Sequence, residues 1–247
     1  MKIGILSHGP TTGLAAVYGR QWAHLPGLLS DLNMPAPEEL REFIRQYHRK
    51  IPQLNEKLME AIHREQYAKH LHPVSESFFL PPVPAHPRLQ TARGNSALFS
   101  RCLRSELPKQ PVLEIRTNFN LVGHDAHFEL KGPGGWNYEI VLVIGQDARW
   151  IPKDKAYDHV FGYTSMLDHA GGDPNRNPYK NNGAFSVPPN EKKFIDYAFE
   201  GNWNNSVRVP VALGPVIVTR DEVEDPHDML LRETETGRLV SVVHTGA

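Results

Sequence analysis

Apolar residues recur with two different periods along this chain, and the change between them divides it. From Pro37 to Leu71 the spacing is helical. Pro37-Glu38-Glu39 puts a proline and two acids where an early helical turn accepts them, and Leu40, Phe43, Ile44 and Tyr47 follow on one face. Ile51-Pro52 restarts the pattern, and Leu54, Leu58, Ala61 and Ile62 predict a second amphipathic helix running to about Leu71. Ahead of both, Ile3, Ile5 and Leu14 to Tyr18 predict two short strands around the turn Gly9-Pro10-Thr11-Thr12-Gly13.

Past Phe78 the helical spacing is lost. FFLPPVPAHPRL, with Pro81, Pro82, Pro84 and Pro87, predicts an extended connector, so residues 1–78 read as a small N-terminal α/β region and 79–247 as the main domain. PVLEIRTNFNLVG (111–123) predicts a strand and turn pair with Arg116 midway. GPGGWNYEIVLVIG predicts a glycine turn into a strand buried on both faces from Ile140 to Ile144, with Glu139 at its mouth. Two helical turns follow over Lys153 to Val160, with Ala156 and Val160 inward and Gly162 ending them, and an apolar step from Tyr163 reaches Asp168. Asn190 is placed to cap a short helix to Phe199.

Composition narrows the function. With 247 residues, 40% of them hydrophobic, the chain can bury one large core with a small appendage. Lys and Arg total 27 against 28 Asp and Glu, so no global field invites nucleic acid, and no basic cluster suggests a membrane surface. The single cysteine, Cys102, excludes an internal disulfide and fits a reducing, cytoplasmic setting. The opening MKIGILSHGPTTG lacks the apolar run of a signal peptide, and no stretch reaches transmembrane length.

Candidate chemistry centres on Glu139 and Asp168. An acid in front of an apolar strand must be paired, hydrated or coordinated, and two such oxygen ligands could converge on one hard cation. His169 follows Asp168 directly, and neighbours on a strand point to opposite faces. Arg93 suits a carboxylate substrate, although a solvated arginine is the plainer reading. Arg116, inside an apolar strand, requires Glu114, a distant acid or an anionic ligand.

A Tyr-Glu-led strand ending in Val-Ile-Gly, a short helix, Gly162-Tyr163-Thr164, Asp168, and then LGPVIVTRDEV (213–223) with Asp225-Pro226-His227 resemble the fumarylacetoacetate hydrolase superfamily over roughly residues 80 to 240. The resemblance implies a mixed α+β, mainly β fold, rolled and usually dimeric, that binds Mg²⁺, Mn²⁺ or Ca²⁺ and acts on small anionic keto acids. It assigns metal binding to Asn137, Glu139 and Asp168, with Asn137 standing where the family carries a first glutamate and Leu167 where an asparagine precedes the aspartate. Arg116 matches a lysine near the substrate, and Arg93, Tyr163 and Asn205 join it as substrate-binding candidates. Asn205 takes the place of the family's substrate lysine, which leaves Lys193 as a substitute and His169 as a further proton carrier. The family's lid His and Glu have no counterpart near Asn95, Phe99 and Cys102, and the main domain reads as shortened at its C-terminus.

Three functions follow from these residues. The first is metal-dependent tautomerisation, decarboxylation or cyclisation of an enolisable 2-oxo or β-diketo acid. The second is carbon–carbon bond hydrolysis or hydration with a base such as His124, His127 or His169. The third is a non-catalytic binding protein that keeps the fold.

Overall fold

Residues 1–83, 89–93, 112–116, 121–127, 134–171 and 211–246 are described by the computed structural model of the chain. Cys102, Lys193, Asn205 and the helix expected from Asn190 lie outside them.

The first strands follow the expected hairpin with a tighter turn. β1 (Lys2–His8) and β2 (Thr11–Tyr18) pair down to His8 opposite Thr11, so Gly9-Pro10 alone makes the connection and Thr11 to Gly13 already belong to the strand. Gly9 has a φ of 55°, which a residue without a Cβ adopts freely and which a two-residue hairpin requires. β3 (Gln21–His24) extends the meander and runs into α1 (Leu25–Asp31), two elements that the periodicity did not predict. The His24 ring caps α1 by accepting from the Gly27 N–H at 3.3 Å, and Pro26 falls in its first turn.

α2 (Leu40–Tyr47) buries Leu40, Phe43, Ile44 and Tyr47, the face expected of it. α3 (Ile51–Ile62) ends about two and a half turns before Leu71; a 3₁₀ turn, Glu65–His70, and the short β4 (Leu71–Pro73) take over the remainder. β5 (Phe78–Leu80), at the start of the proline-rich stretch, pairs with β1.

Of the main-domain strands, β6 (Leu89–Arg93) and β7 (Val112–Arg116) form their own antiparallel pair. β8 (Leu121–Val122), β9 (Gly134–Ile144), β10 (Val160–Gly171), β11 (Val211–Leu213) and β12 (Ile217–Thr219) belong to the large sheet. A separate hairpin, β13 (Leu230–Glu235) with β14 (Arg238–His244), follows. Among the described residues the large sheet has ten strands in the order β4-β3-β2-β1-β12-β10-β11-β8, with β5 on β1 and β9 on β10. The result is the strand-rich, mixed α+β rolled architecture expected, with a small N-terminal α/β region.

The N-terminal strands and the main-domain strands form one sheet through Lys2↔Val218 and Ile3↔Ile217. One core crosses with it: Phe43 of α2 meets Phe161 of β10 edge-on, with ring centroids 6.4 Å apart, and both rings are fully buried. Gly162 permits the close approach of β10 to β12, because a Cβ there would collide with the Val218 carbonyl oxygen.

Two expectations near the site change. Leu142 is 48% and Ile144 59% exposed while Val143 is buried, so β9 alternates instead of burying both faces. Among the described residues β9 pairs with β10 alone, so it has the character of a half-covered antiparallel strand despite its continuous apolar run. Residues Lys153–His159 form a 3₁₀ turn with Ala156 exposed, and Val160 and Gly162 already belong to β10.

Candidate functional site

The ladder between β9 and β10 organises the candidate site. Its pairs run antiparallel from Val160↔Ile144 to Gly171↔Gly134, with one bulge between Val160 and Gly162. The Gly145 N–H donates to the His159 carbonyl at 2.7 Å and closes the connecting loop at its base. On the other side of β10, β11 pairs through Met166↔Leu213, Leu167↔Ala212 and Asp168↔Val211. The Ser165 hydroxyl donates to the Gly214 carbonyl at 2.6 Å, and the Gly214 N–H returns a bond to the Ser165 carbonyl at 3.1 Å. Position 168 is thus held from both sides by backbone pairing, the kind of rigid element on which ligands keep a geometry.

This register pairs Asn137 with Asp168 and Glu139 with Met166. Side-chain positions alternate along a strand, so positions 137, 139 and 141 share one face with 164, 166 and 168. Direct partners stand with Cβ atoms roughly 4.5–5.5 Å apart, and next-but-one residues of a strand about 6.6 Å apart along the chain. The three positions carry an amide and two carboxylates in sequence, oxygen donors of the kind a hard cation takes. Met166, Val211 and Leu213 are buried on this same face, with Val83, Leu121 and Val141 packed against them. Glu139 is half-buried at its edge.

The other face has different chemistry. The Tyr138 hydroxyl is pushed up to about 12, first by burial and then by its hydrogen bond to Glu233. Tyr163 is buried; its hydroxyl is raised chiefly by that burial, with Tyr157 and Asp225 adding and Arg220 opposing. Nearby, the Tyr157 hydroxyl and His227 Nε2 are hydrogen-bonded at 2.7 Å.

The residues predicted from the sequence distribute as follows. Asn137, Glu139 and Asp168 come together on the ladder. Tyr163 and His169 take the alternate positions of β10, on the face away from Asp168. Arg116 pairs with Leu89, whereas Arg93 pairs with Val112, so the two arginines occupy opposite ends of the β6–β7 ladder. Four residues of strand separate them, about 13 Å. Lys193 and Asn205 lie outside the described residues. The sequence assigns Thr164 no role. It is 7% exposed, lies on the Glu139 face, and its Oγ1 has no hydrogen-bond partner. In the sequence it entered only within the Gly162-Tyr163-Thr164 motif, where Ser165 follows it as a second polar residue near the start of β10.

Among the described residues, no group of three His, Cys, Asp or Glu side chains is arranged to hold a metal ion. The set here is instead one amide and two carboxylates, and the side chains of Asn137 and Asp168 lie outside the description. The donor types, oxygen only, are those that Mg²⁺, Mn²⁺ or Ca²⁺ would take rather than a thiolate-seeking metal. No described helix is long and apolar enough to cross a membrane.

The Fumarylacetoacetate (FAA) hydrolase C-terminal family matches residues 89–245, and the chain belongs to it. It is 25% identical over 139 residues to the oxaloacetate tautomerase YisK of Bacillus subtilis, a match that covers 55% of this chain and 40% of the relative. With the mitochondrial oxaloacetate tautomerase fahd2 of Xenopus laevis it shares 26% over 149 residues, covering 58% and 41%. The chain spans about half the length of the curated relatives it matches. Among solved structures, a maleylpyruvate hydrolase from Sphingobium sp. SYK-6, in complex with manganese (II) ion and pyruvate, superposes with a TM-score of 0.64 at 18% identity, covering 100% of this chain and 77% of that one. Relatives are named as tautomerases, hydrolases and an isomerase/decarboxylase.

Proposed function

We propose that the chain is an enzyme that relocates a proton on a small, enolisable 2-oxo or β-diketo acid, with tautomerisation first and decarboxylation or cyclisation as chemical neighbours. The observation that carries this reading is the pairing of Asn137 with Asp168 and the placement of Glu139 on the same face. Asn137, Glu139 and Asp168 would hold a divalent cation, Mg²⁺, Mn²⁺ or Ca²⁺, which would supply polarisation of the substrate's carbonyl oxygen. Asn137 contributes a neutral oxygen, so the site carries two negative charges and leaves room for the carboxylate of an anionic substrate.

The remaining roles rest on the resemblance. Arg116 takes the substrate carboxylate, a contact for which a guanidinium offers two parallel donors. Lys193 carries the proton between carbon and oxygen. The buried cluster of Met166, Val211 and Leu213 gives the Glu139 face an apolar surround, in which charge contacts are strengthened. The names of the tautomerase relatives support the same order of preference.

The test is the loss of enol absorbance from oxaloacetate with Mg²⁺ or Mn²⁺ present. The wild-type chain accelerates it over buffer plus cation, and Glu139→Gln removes most of that acceleration. Equal rates for wild type and Glu139→Gln would sink the assignment.

A further inference from the structure

Thr164 is a buried polar residue for which the large sheet supplies no partner. It and Thr219 are the buried polar residues among those described, and their situations differ. The Thr219 hydroxyl accepts from the Met1 ammonium at 2.6 Å and donates to the Met1 carbonyl at 3.1 Å. Thr164 Oγ1 has neither. The other unpartnered buried atoms, His48 Nδ1 and His159 Nδ1, belong to residues at the far end of the ladder, where His48 Nε2 meets the Asp158 carbonyl at 3.0 Å.

Register decides what the Thr164 hydroxyl can reach. Thr164 pairs with Val141, and Met166, its same-face neighbour, pairs with Glu139, so Thr164 and Glu139 are diagonal neighbours across the ladder. Such neighbours stand roughly 7–8 Å apart, a gap that a glutamate side chain closes on a hydroxyl directly or through one water. A hydroxyl in an apolar wall is costly unless something bonds it, and the polar position within its reach on this face is the candidate ligand itself.

We infer that Thr164 is a positioning residue, whose hydroxyl donates to the Glu139 carboxylate in the ligand-bound state and so fixes the direction in which that carboxylate presents its other oxygen. This rests on the proposed cation site. It adds a hydrogen-bonding partner behind a ligand, of the kind whose removal weakens metal binding without touching the metal.

The experiment is calorimetric titration of Mn²⁺ into the full chain, for wild type, Thr164→Val, Thr164→Ser and Glu139→Gln, with a thermal melt of each in the absence of metal. Valine matches threonine in shape, so Thr164→Val keeps or raises the melting temperature. Its Mn²⁺ affinity falls roughly tenfold, and Thr164→Ser stays within about threefold of wild type. Wild-type affinity in Thr164→Val, with binding lost in Glu139→Gln, overturns the role of Thr164 and leaves the site standing. Equal weakening by valine and serine also overturns it, since the methyl group would then be what matters. No Mn²⁺ binding by the wild type removes the proposed cation site and this inference together.

Discussion

Asn137 and Asp168 are direct backbone partners in the antiparallel ladder between β9 and β10, so an uncharged residue type occupies the position opposite an acid. Like charges directly opposite one another destabilise a ladder, while more negative charge holds a cation more tightly. Asn137→Asp is therefore expected to lower the stability of the metal-free chain by up to about 1 kcal/mol. The same change should tighten Mn²⁺ binding by roughly tenfold. Paired urea melts and titrations check both signs on one variant.

Gly162 tests the junction of β10 with β12. A methyl group there meets the Val218 carbonyl oxygen, a backbone atom that cannot swing aside. Gly162→Ala is expected to cost about 1–3 kcal/mol, as overpacked interiors do, with the loss read from the urea midpoint at unchanged slope.

The helices could be read from the sequence where periodicity was long enough to bind them to one face. Leu40, Phe43, Ile44 and Tyr47 announced α2, but α1 has seven residues opening Leu25-Pro26, too few to establish a period. β3 is four residues long and carries no alternation. In β9 the unbroken run Ile140 to Ile144 concealed an alternating strand, because apolar residues on the open side look the same in sequence as those on the buried side. Glu139 and Asp168 stood out as acids beside apolar runs. Their gathering with Asn137 depends on a register fixed by the Gly145–His159 bond and the bulge at Val160, which no local pattern encodes.

Phe43 and Phe161 join helix and sheet across the division expected between residues 78 and 79. Either Phe→Ala change is expected to cost about 3–5 kcal/mol. If the rings couple as aromatic pairs do, a double-mutant cycle gives an interaction of about 0.5–1.5 kcal/mol. Both variants should lower a single cooperative transition, which is checked by following tryptophan fluorescence and far-ultraviolet dichroism together.

Two histidines from separate strands, His24 and His72, bear on the acid side of stability. His72 stacks near Trp22 and His8, with ring centroids 4.5 and 5.2 Å away, while His24 and His70 lie against Gly27. Burial holds His24 below its ordinary value against the pull of Glu38, and His70 lowers it further. His72 is lowered by burial first, then by His8, His24 and His70. A depressed histidine binds fewer protons folded than unfolded, so stability is full above the unfolded value of about 6.5 and falls as pH drops from there toward the depressed folded values. Asp31 is held low by hydrogen bonds from Lys69 and His70, and its contribution is lost only at more acid pH, as a carboxylate's is. Urea melts between about pH 7.5 and pH 5 should therefore show declining stability, and His72→Gln should flatten the slope.

The most direct test of the cation site is a crystal of the chain grown with Mn²⁺ and oxalate, a stable mimic of an enolised 2-oxo acid, and examined for anomalous scattering. The predicted result is one strong peak on the ladder face shared by Asn137, Glu139 and Asp168, with oxalate against it. A peak confined to the opposite face of β10, beside Tyr163, or to the histidines around His72, would contradict it.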